Sequence, residues 1–281
     1  MNEYIYSPAN TDRVFEPLDK ASILAGMNPS IRKQLTGLNI EVSLDSTNSA
    51  LQRLPLAQQH AAAILAEFQS AGRGRRGRQW HSPHGRNLYL SLGWKFKKPL
   101  AGLGCLPLVI ALSAAQALAR AGLKRHRVKW PNDLLLDGRK FCGCLVEVMG
   151  DAKGPCHAVL GVGINVFMPE SDVANEIDQP WTDVQSQLPN CSRNDLAALL
   201  LEELIKQMVL FEEQGFSPFR DTWAQMDGLA GRLVNVHSGS SSLQGTARGI
   251  DDQGALLLDT GEEVLSLHIG EVSVKIDQEC L

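Results

Sequence analysis

Between Gly72 and Arg78 the chain reads Gly-Arg-Gly-Arg-Arg-Gly-Arg, four arginines and three glycines in seven residues, and Gln79-Trp80 follow without an acid. Arginine presents a planar, permanently charged fork that matches phosphate oxygens, and glycine lets the backbone approach a ligand closely. The combination reads as a loop that binds a polyanion. Gly72, Gly74 and Gly77 also fall in G-x-G-x-x-G register, but a dinucleotide-binding turn opens a helix and is followed by an acid about 20 residues on. This loop instead leads through Ser82-Pro83-His84-Gly85 into a strand-like run at 87–92 and then Lys95, Lys97 and Lys98, so the match is rejected. A surface patch that holds nucleic acid nonspecifically is the blander alternative. The formal net charge of -4 weighs against it, because the chain outside these four arginines is more acidic still and offers no platform for a DNA backbone.

Three further strings place polar groups after apolar runs: Asp45-Ser46-Thr47-Asn48, Lys129-Trp130-Pro131-Asn132-Asp133 with Gly138-Arg139-Lys140, and Gly161-Val162-Gly163-Ile164-Asn165. Ser46 to Asn48 read equally as a plain helix cap or as neutral polar groups of a site. Trp-Pro fixes the turn before Asn132 and Asp133, and a turn acid can be either ordinary or a holder of magnesium, a hard cation that prefers oxygen. Lys140, between a hairpin and an apolar strand, reads as a site cation rather than a solvated one. Cys142 and Cys144 could bind metal, but they lie in a strand pattern with no second pair at zinc spacing, which favours core thiols.

Elements must position these groups. An irregular arm over 1–14 precedes a short helix at 19–26 and a strand at 39–44, and Asp45 or Ser46 can cap a helix over 49–54. A buried strand over 61–68 feeds Gln69 and the arginine loop, and apolar spacing predicts a helix over 103–121 that ends at Gly122. A strand at 126–129 and a two-residue hairpin at Asp137-Gly138 lead to strands over 141–148 and 157–163. The polar, acidic segment 168–190, with Trp181 as its large apolar anchor, reads as a mobile lid. The longest helix, 194–214, is capped by Ser192 or Asn194, and a second covers 217–226. Beyond 229 short strands and glycine turns describe a small antiparallel barrel.

With 281 residues, 44% of them hydrophobic, the chain can bury a sizeable core, and its expected organisation is an arm over 1–14, a catalytic domain over 15–228 and a barrel over 229–281. No apolar run is expected to approach the ~20 residues that cross a bilayer, and the N-terminus lacks a basic, apolar signal, so the default residence is cytoplasmic without membrane contact. Six cysteines without regular spacing fit reduced thiols.

The four strings in this order resemble the biotin–protein ligases over roughly residues 15 to 279. The resemblance implies an α+β fold, a mixed sheet flanked by helices like that of class II aminoacyl-tRNA synthetases followed by an SH3-like barrel. It implies an enzyme that uses ATP and magnesium to activate biotin as biotinyl-5'-AMP and transfers it to a lysine of a biotin carboxyl carrier protein. By the same resemblance Ser46, Thr47, Asn48 and Gln69 line the pocket for the biotin head group, with Gly143 and Leu145 beside its ring and tail. Arg73, Gly74 and Arg75 hold the biotinyl and phosphate groups under a folded loop. Lys140 sits at the carboxylate–phosphate junction, Arg78, Trp80, Asn132 and Asn165 face the adenylate, and Asp133 carries magnesium. Arg75, Asp133 and Lys140 are thus the expected catalytic set. Arg248 is the barrel residue expected on the nucleotide side. Trp181 is a second candidate cover for the adenylate. Arg76 is left out, because alternation in an extended loop turns it away.

The chemistry suits these residues. A ureido head with two N–H donors and a carbonyl needs a few neutral polar groups in apolar walls. Adenylation drives a carboxylate against a phosphate, so positive charge must neutralise both. Bifunctional members of the family carry an N-terminal winged helix-turn-helix. None is expected in this chain, whose residues 1–14 resemble a remnant linker, so no specific DNA binding is expected either. A lipoate–protein ligase and a non-catalytic sensor of biotinyl-adenylate are the rival readings. Oligomeric state, a homodimer included, is open.

Overall fold

A computed structural model describes residues 16–150, 154–169, 177, 179–238, 241–270 and 273–276. The expected arm over 1–14, with part of the lid and of the last strand, lies outside them.

Helix α1 (Lys20–Gly26) starts where the Asp19 carboxylate accepts from the Ser22 N–H at 2.8 Å, and α2 (Pro29–Arg32) starts on Asn28 with proline in its first turn. Strand β1 (Gly37–Glu41), α3 (Thr47–Gln52), α4 (Leu56–Gln59), β2 (Ala62–Ala66) and β3 (Leu88–Phe96) follow, then α5 (Leu106–Arg120). Next come β4 (His126–Lys129), β5 (Asp133–Leu136), β6 (Arg139–Gly150), β7 (Cys156–Ile164), α6 (Arg193–Gln214) and α7 (Arg220–Met226). Seven strands form one mixed sheet in the order β1-β2-β3-β7-β6-β5-β4, parallel only between β1 and β2. Strands β8 (Leu233–Ser238), β9 (Ser241–Ile250), β10 (Leu256–Asp259), β11 (Val264–Leu267) and β12 (Ser273–Ile276) form the second, antiparallel sheet.

Strand parity decides what each face of the large sheet does, since successive side chains point to opposite faces. Leu88, Leu90, Leu92, Trp94 and Phe96 of β3, Ala158, Leu160, Val162 and Ile164 of β7, and Cys142 and Cys144 of β6 all join the main core with α5 and α6. Tyr89 and Ser91, Gly161 and Gly163, and Gly143, Leu145 and Glu147 are the opposite set. Register aligns them in rows, Tyr89–Gly163–Gly143 and Ser91–Gly161–Leu145. One face of the sheet is therefore packed, and the other presents two rows with glycine at their centre.

By length and composition the segment Leu100–Arg120 is apolar enough to cross a bilayer, which corrects the expectation that no run approaches that length. Its helix α5 is apolar almost all round because it is the central core helix, with eleven of its residues buried. The second sheet docks through the turn at 251–254. Trp130 Nε1 donates to Gly254 O at 2.9 Å, and Cys105 Sγ donates to Gln253 O at 2.9 Å.

The hairpin at Asp137-Gly138 has φ of 49° and 77°, the left-handed pair that such a turn needs. The helix expected over 217–226 is shorter, an α-helix over Arg220–Met226 preceded by a single 3-10 turn containing Pro218. The segment expected to be a lid held only by Trp181 is otherwise anchored where it is described. Val184 and Met168 are buried, Lys140 N–H donates to Pro180 O at 3.0 Å, and Thr182 N–H donates to Lys140 O at 3.0 Å. Residues 170–176 and 178 of that segment lie outside the described set.

Candidate active site

The arginine loop folds across the glycine rows and roofs a cleft. Ser46, Thr47, Asn48 and Gln69 line one end, Lys129, Asn132, Asp133 and Lys140 the other, and Gly143, Leu145, Gly161 and Gly163 the floor. Arg73, Gly74, Arg75, Arg76, Arg78 and Trp80 come from the loop, and Val274 and Lys275 from the second sheet.

At the first end Ser46, Thr47, Asn48 and Gln69 are all buried, and Thr47, Asn48 and Gln69 join a neutral network with Ser82 and Ser91. Gln69 Oε1 accepts from Thr47 N–H at 2.9 Å, and Gln69 Nε2 donates to Ser82 Oγ at 3.0 Å. Ser91 Oγ lies 2.7 Å from Thr47 Oγ1 and donates to Asn48 Oδ1 at 2.5 Å. Ser46 precedes α3 as its cap residue, yet its side chain makes no capping bond, so the helix-cap reading of that serine fails. Gly161 is required by space: a Cβ there would stand 2.3 Å from Asn48 Oδ1. Gly163 admits the Trp80 indole in the same way, its Cβ position lying 2.7 Å from the ring. The Tyr89 phenol forms part of the wall, and burial pushes its pKa up, so it stays neutral and donates to Pro83 O at 3.0 Å.

The other end is cationic. Lys140 Nζ sits 2.8 Å from Asp133 Oδ1 and 5.4 Å from the centre of the Trp80 ring. Arg75 Nη1 donates to Asn132 Oδ1 at 2.9 Å, and Asn132 Nδ2 donates to Cys144 O at 2.6 Å, tying loop to sheet across the cis Trp130–Pro131 turn. Burial lowers the Arg75 pKa while Asp133 opposes the shift. Lys129 is lowered chiefly by burial, with Asp133 opposing and Lys140, Arg78 and Lys275 adding to it. Seven cations, Arg73, Arg75, Arg76, Arg78, Lys129, Lys140 and Lys275, thus line the cleft with Asp133 as the one carboxylate among its described residues. Crowding of like charge in a chain of net charge -4 is costly unless an anion relieves it, so the cleft is built for a polyanion.

No group of three or more metal-ligating side chains occurs among the described residues. A lone Asp133 fits magnesium that arrives on nucleotide phosphates, since that ion commonly uses one or two carboxylates and keeps water. Burial pushes the Cys142 thiol up, away from the thiolate that would bind metal.

The profile of the Biotin/lipoate A/B protein ligase family matches residues 40–165, and that of the Biotin protein ligase C terminal domain matches 230–275. The bifunctional ligase/repressor BirA of Escherichia coli is 40% identical over 86% of this chain and 76% of that protein. The chain belongs to the biotin protein ligase family. The biotin–[acetyl-CoA-carboxylase] ligase of Mycobacterium tuberculosis is 32% identical over 93% of this chain and 97% of its own. The ligase of Aquifex aeolicus, solved in complex with biotin and ATP, superposes with a TM-score of 0.72 at 26% identity, covering 86% of this chain and 99% of that one.

Three residues assigned by sequence do not line the cleft of this biotin protein ligase. Asn165, expected to read adenine, is buried and spends its amide on Thr182 O at 3.1 Å, pinning the segment that runs beside Lys140. Arg248, expected on the nucleotide side, lies outside the cleft and pairs with Asp259 at 2.8 Å. The barrel offers Lys275 of β12 instead, which lines the cleft beside Val274. Trp181 does not line the cleft either; its backbone pairs with Lys140. Arg76, excluded on alternation, does line it: its φ of 58° breaks the extended run that the exclusion assumed. Lys129, Ser91 and Glu147 were not singled out. Lys129 stood at the head of a quoted string, and strand parity from Gly161 and Gly143 would have flagged the other two.

Proposed function

We propose that this chain is an ATP-dependent biotin–protein ligase. Biotin's carboxylate attacks the α-phosphate of ATP to give biotinyl-5'-AMP and pyrophosphate, and a carrier-domain lysine amine then takes the biotinyl group and releases AMP. The observation that carries this reading is the cleft itself, a neutral polar pocket at one end, with seven cations against one carboxylate along its roof and other end, on a glycine floor.

In this reading Ser46, Thr47, Asn48 and Gln69 hold the ureido head, and Gly143 and Leu145 leave a slot for the ring and tail. Arg73, Arg75, Arg78 and Lys140 neutralise the anions that must meet, and Asn132 and Trp80 flank the adenylate. Asp133 would hold magnesium bound to phosphate oxygens, where the ion neutralises charge. Arg76, Lys129 and Lys275 join the set in place of Asn165 and Arg248. The carrier domain of acetyl-CoA carboxylase is the partner, approaching where Val274 and Lys275 meet the rim. We place the enzyme in the cytoplasm. Residues 15–228 are the catalytic unit and 229–281 the barrel.

Biotin-dependent exchange between ATP and pyrophosphate, followed by transfer of labelled biotin to a carrier domain, tests the proposal. Exchange supported by lipoate but not biotin would favour the lipoate ligases instead, and exchange without transfer would favour a sensor of the adenylate. We take specific DNA binding to lie outside the activity of this polypeptide, since its net charge is -4 and its cation cluster faces a cleft that adenylate would fill. A gel-shift titration against a biotin-operon operator at saturating biotin and ATP should show no competitor-resistant band.

Gly161→Ala should weaken biotin selectively. Its methyl would displace the Asn48 amide, an overpacking of about 1–3 kcal/mol, so biotin KM should rise roughly 5- to 150-fold while KM for ATP changes little. An unchanged biotin KM would remove Asn48 from the head-group pocket.

A further inference from the structure

Glu147 is a carboxylate on the cleft face of β6, one rung beyond Leu145, and it does not line the cleft. Its Oε2 accepts from Asn48 Nδ2 at 2.9 Å and its Oε1 from Arg73 Nη2 at 2.5 Å. Arg73 Nη1 also donates to Ser49 Oγ at 3.3 Å. A single side chain thus joins the neutral end of the cleft to the first arginine of the roof.

The chemistry of each bond constrains the other. An ionised carboxylate only accepts, so it draws the NH2 end of the Asn48 amide toward itself. Ser91 Oγ then meets the carbonyl end, and Gly161 leaves the space into which that oxygen projects. The amide could otherwise flip, presenting a donor where the pocket offers an acceptor. On its other oxygen Glu147 supplies the countercharge for Arg73, whose side chain is 44% exposed while that of Glu147 is 20% exposed. The root of the arginine loop is therefore fastened to the sheet at the residue that orients the head-group amide.

We propose that Glu147 is a positioning residue of the ligase. It sets the polarity of Asn48 toward the ureido head of biotin and holds the root of the arginine loop, so that head-group recognition and loop placement are coupled through one carboxylate. The proposal rests on the reading of the cleft as a biotin site.

Glu147→Ala and Glu147→Gln separate the two duties. Alanine removes both, whereas glutamine retains a carbonyl that can accept from Asn48 but carries no charge for Arg73. In pyrophosphate exchange the alanine variant should raise biotin KM by roughly 10-fold or more, the scale of a lost bond to a charged group, with kcat nearly constant. The glutamine variant should restore biotin KM while still releasing biotinyl-AMP faster than wild type in a dissociation assay. A general structural defect would instead lower kcat and the melting temperature together. Glutamine folds as a near-isostere should alanine not. Biotin KM unchanged in alanine, or dissociation of the adenylate unchanged in glutamine, would overturn the assignment of Glu147 alone. Failure of the wild-type chain to support biotin-dependent exchange would overturn the ligase reading beneath it.

Discussion

Replacing Lys140 with alanine should reduce biotinyl-adenylate formation by roughly 100- to 1,000-fold, the effect of removing one preorganised electrostatic stabiliser, about 2.7–4 kcal/mol. The ammonium lies at the start of β6 with its backbone fixed on both sides, N–H to Pro180 O and O to Thr182 N–H, so its root does not move. The ammonium lies 2.8 Å from Asp133 Oδ1. In the proposed reading Asp133 would hold magnesium, which would supply charge neutralisation at the phosphate, and Lys140 would stabilise charge on the reacting oxygens, most of all in the transition state. The loss should therefore fall on kcat for exchange with KM for biotin little affected. Lys140→Arg keeps the charge but not the compact ammonium, and should recover only part of the rate. Exchange at the wild-type rate in a folded Lys140→Ala protein would remove this residue from the chemistry.

What the sequence made legible, and what it did not, divides along a physical line. Local signals were readable: the Asp137-Gly138 turn, the Ser192 cap of α6 and the apolar spacing of α5 are each set by residues within a few positions of one another. The clustering of the four strings was also readable, because each ends or follows a strand of the same sheet. The misses are non-local. Asn165 follows the glycine strand, yet where its amide turns depends on Thr182, seventeen residues on. Which barrel cation faces the cleft depends on how β12 and β9 dock, and nothing in the local spacing of Arg248 or Lys275 distinguishes them. Arg76 was misplaced by a single left-handed residue in a loop assumed extended. Glu147 was invisible because it acts on two partners, Asn48 and Arg73, brought to it by separate crossings of the chain.

The same cleft raises the question of how a reactive mixed anhydride survives until the carrier lysine arrives. Protection requires that the roof stay down, and the contacts that hold it are few. Arg73 is fastened to Glu147 and Ser49, Arg76 reaches Gly270 O at 3.4 Å, and Arg75 bonds Asn132. Of these the Arg75 bond is the one inside the cleft, half-buried above the Trp130–Pro131 turn, and Asn132 is itself fixed at both its side chain and its carbonyl by Cys144. Arg75 thereby ties loop to sheet, and in the proposed reading it is also a charge for the phosphate.

Arg75→Gly removes both functions and adds a flexible residue to a loop already rich in glycine. A hydrogen bond to a charged group is worth about 1.5–3 kcal/mol, so biotinyl-AMP should leave roughly 10- to 150-fold faster. The intermediate would then react in solution with whatever amine it meets, since a reactive species is shielded only while the loop excludes water. The expected outcome is biotin on lysines of a bystander protein such as serum albumin, detected by mass spectrometry, with adenylate synthesis reduced less than in Lys140→Ala. Arg53→Gly provides the control, because Arg53 pairs with Asp45 at the surface, 60% exposed, and has no contact with the roof. An Arg75→Gly enzyme that labels only its carrier domain, and releases adenylate at the wild-type rate, would show that the roof is held by its contacts at Arg73 and Arg76 instead.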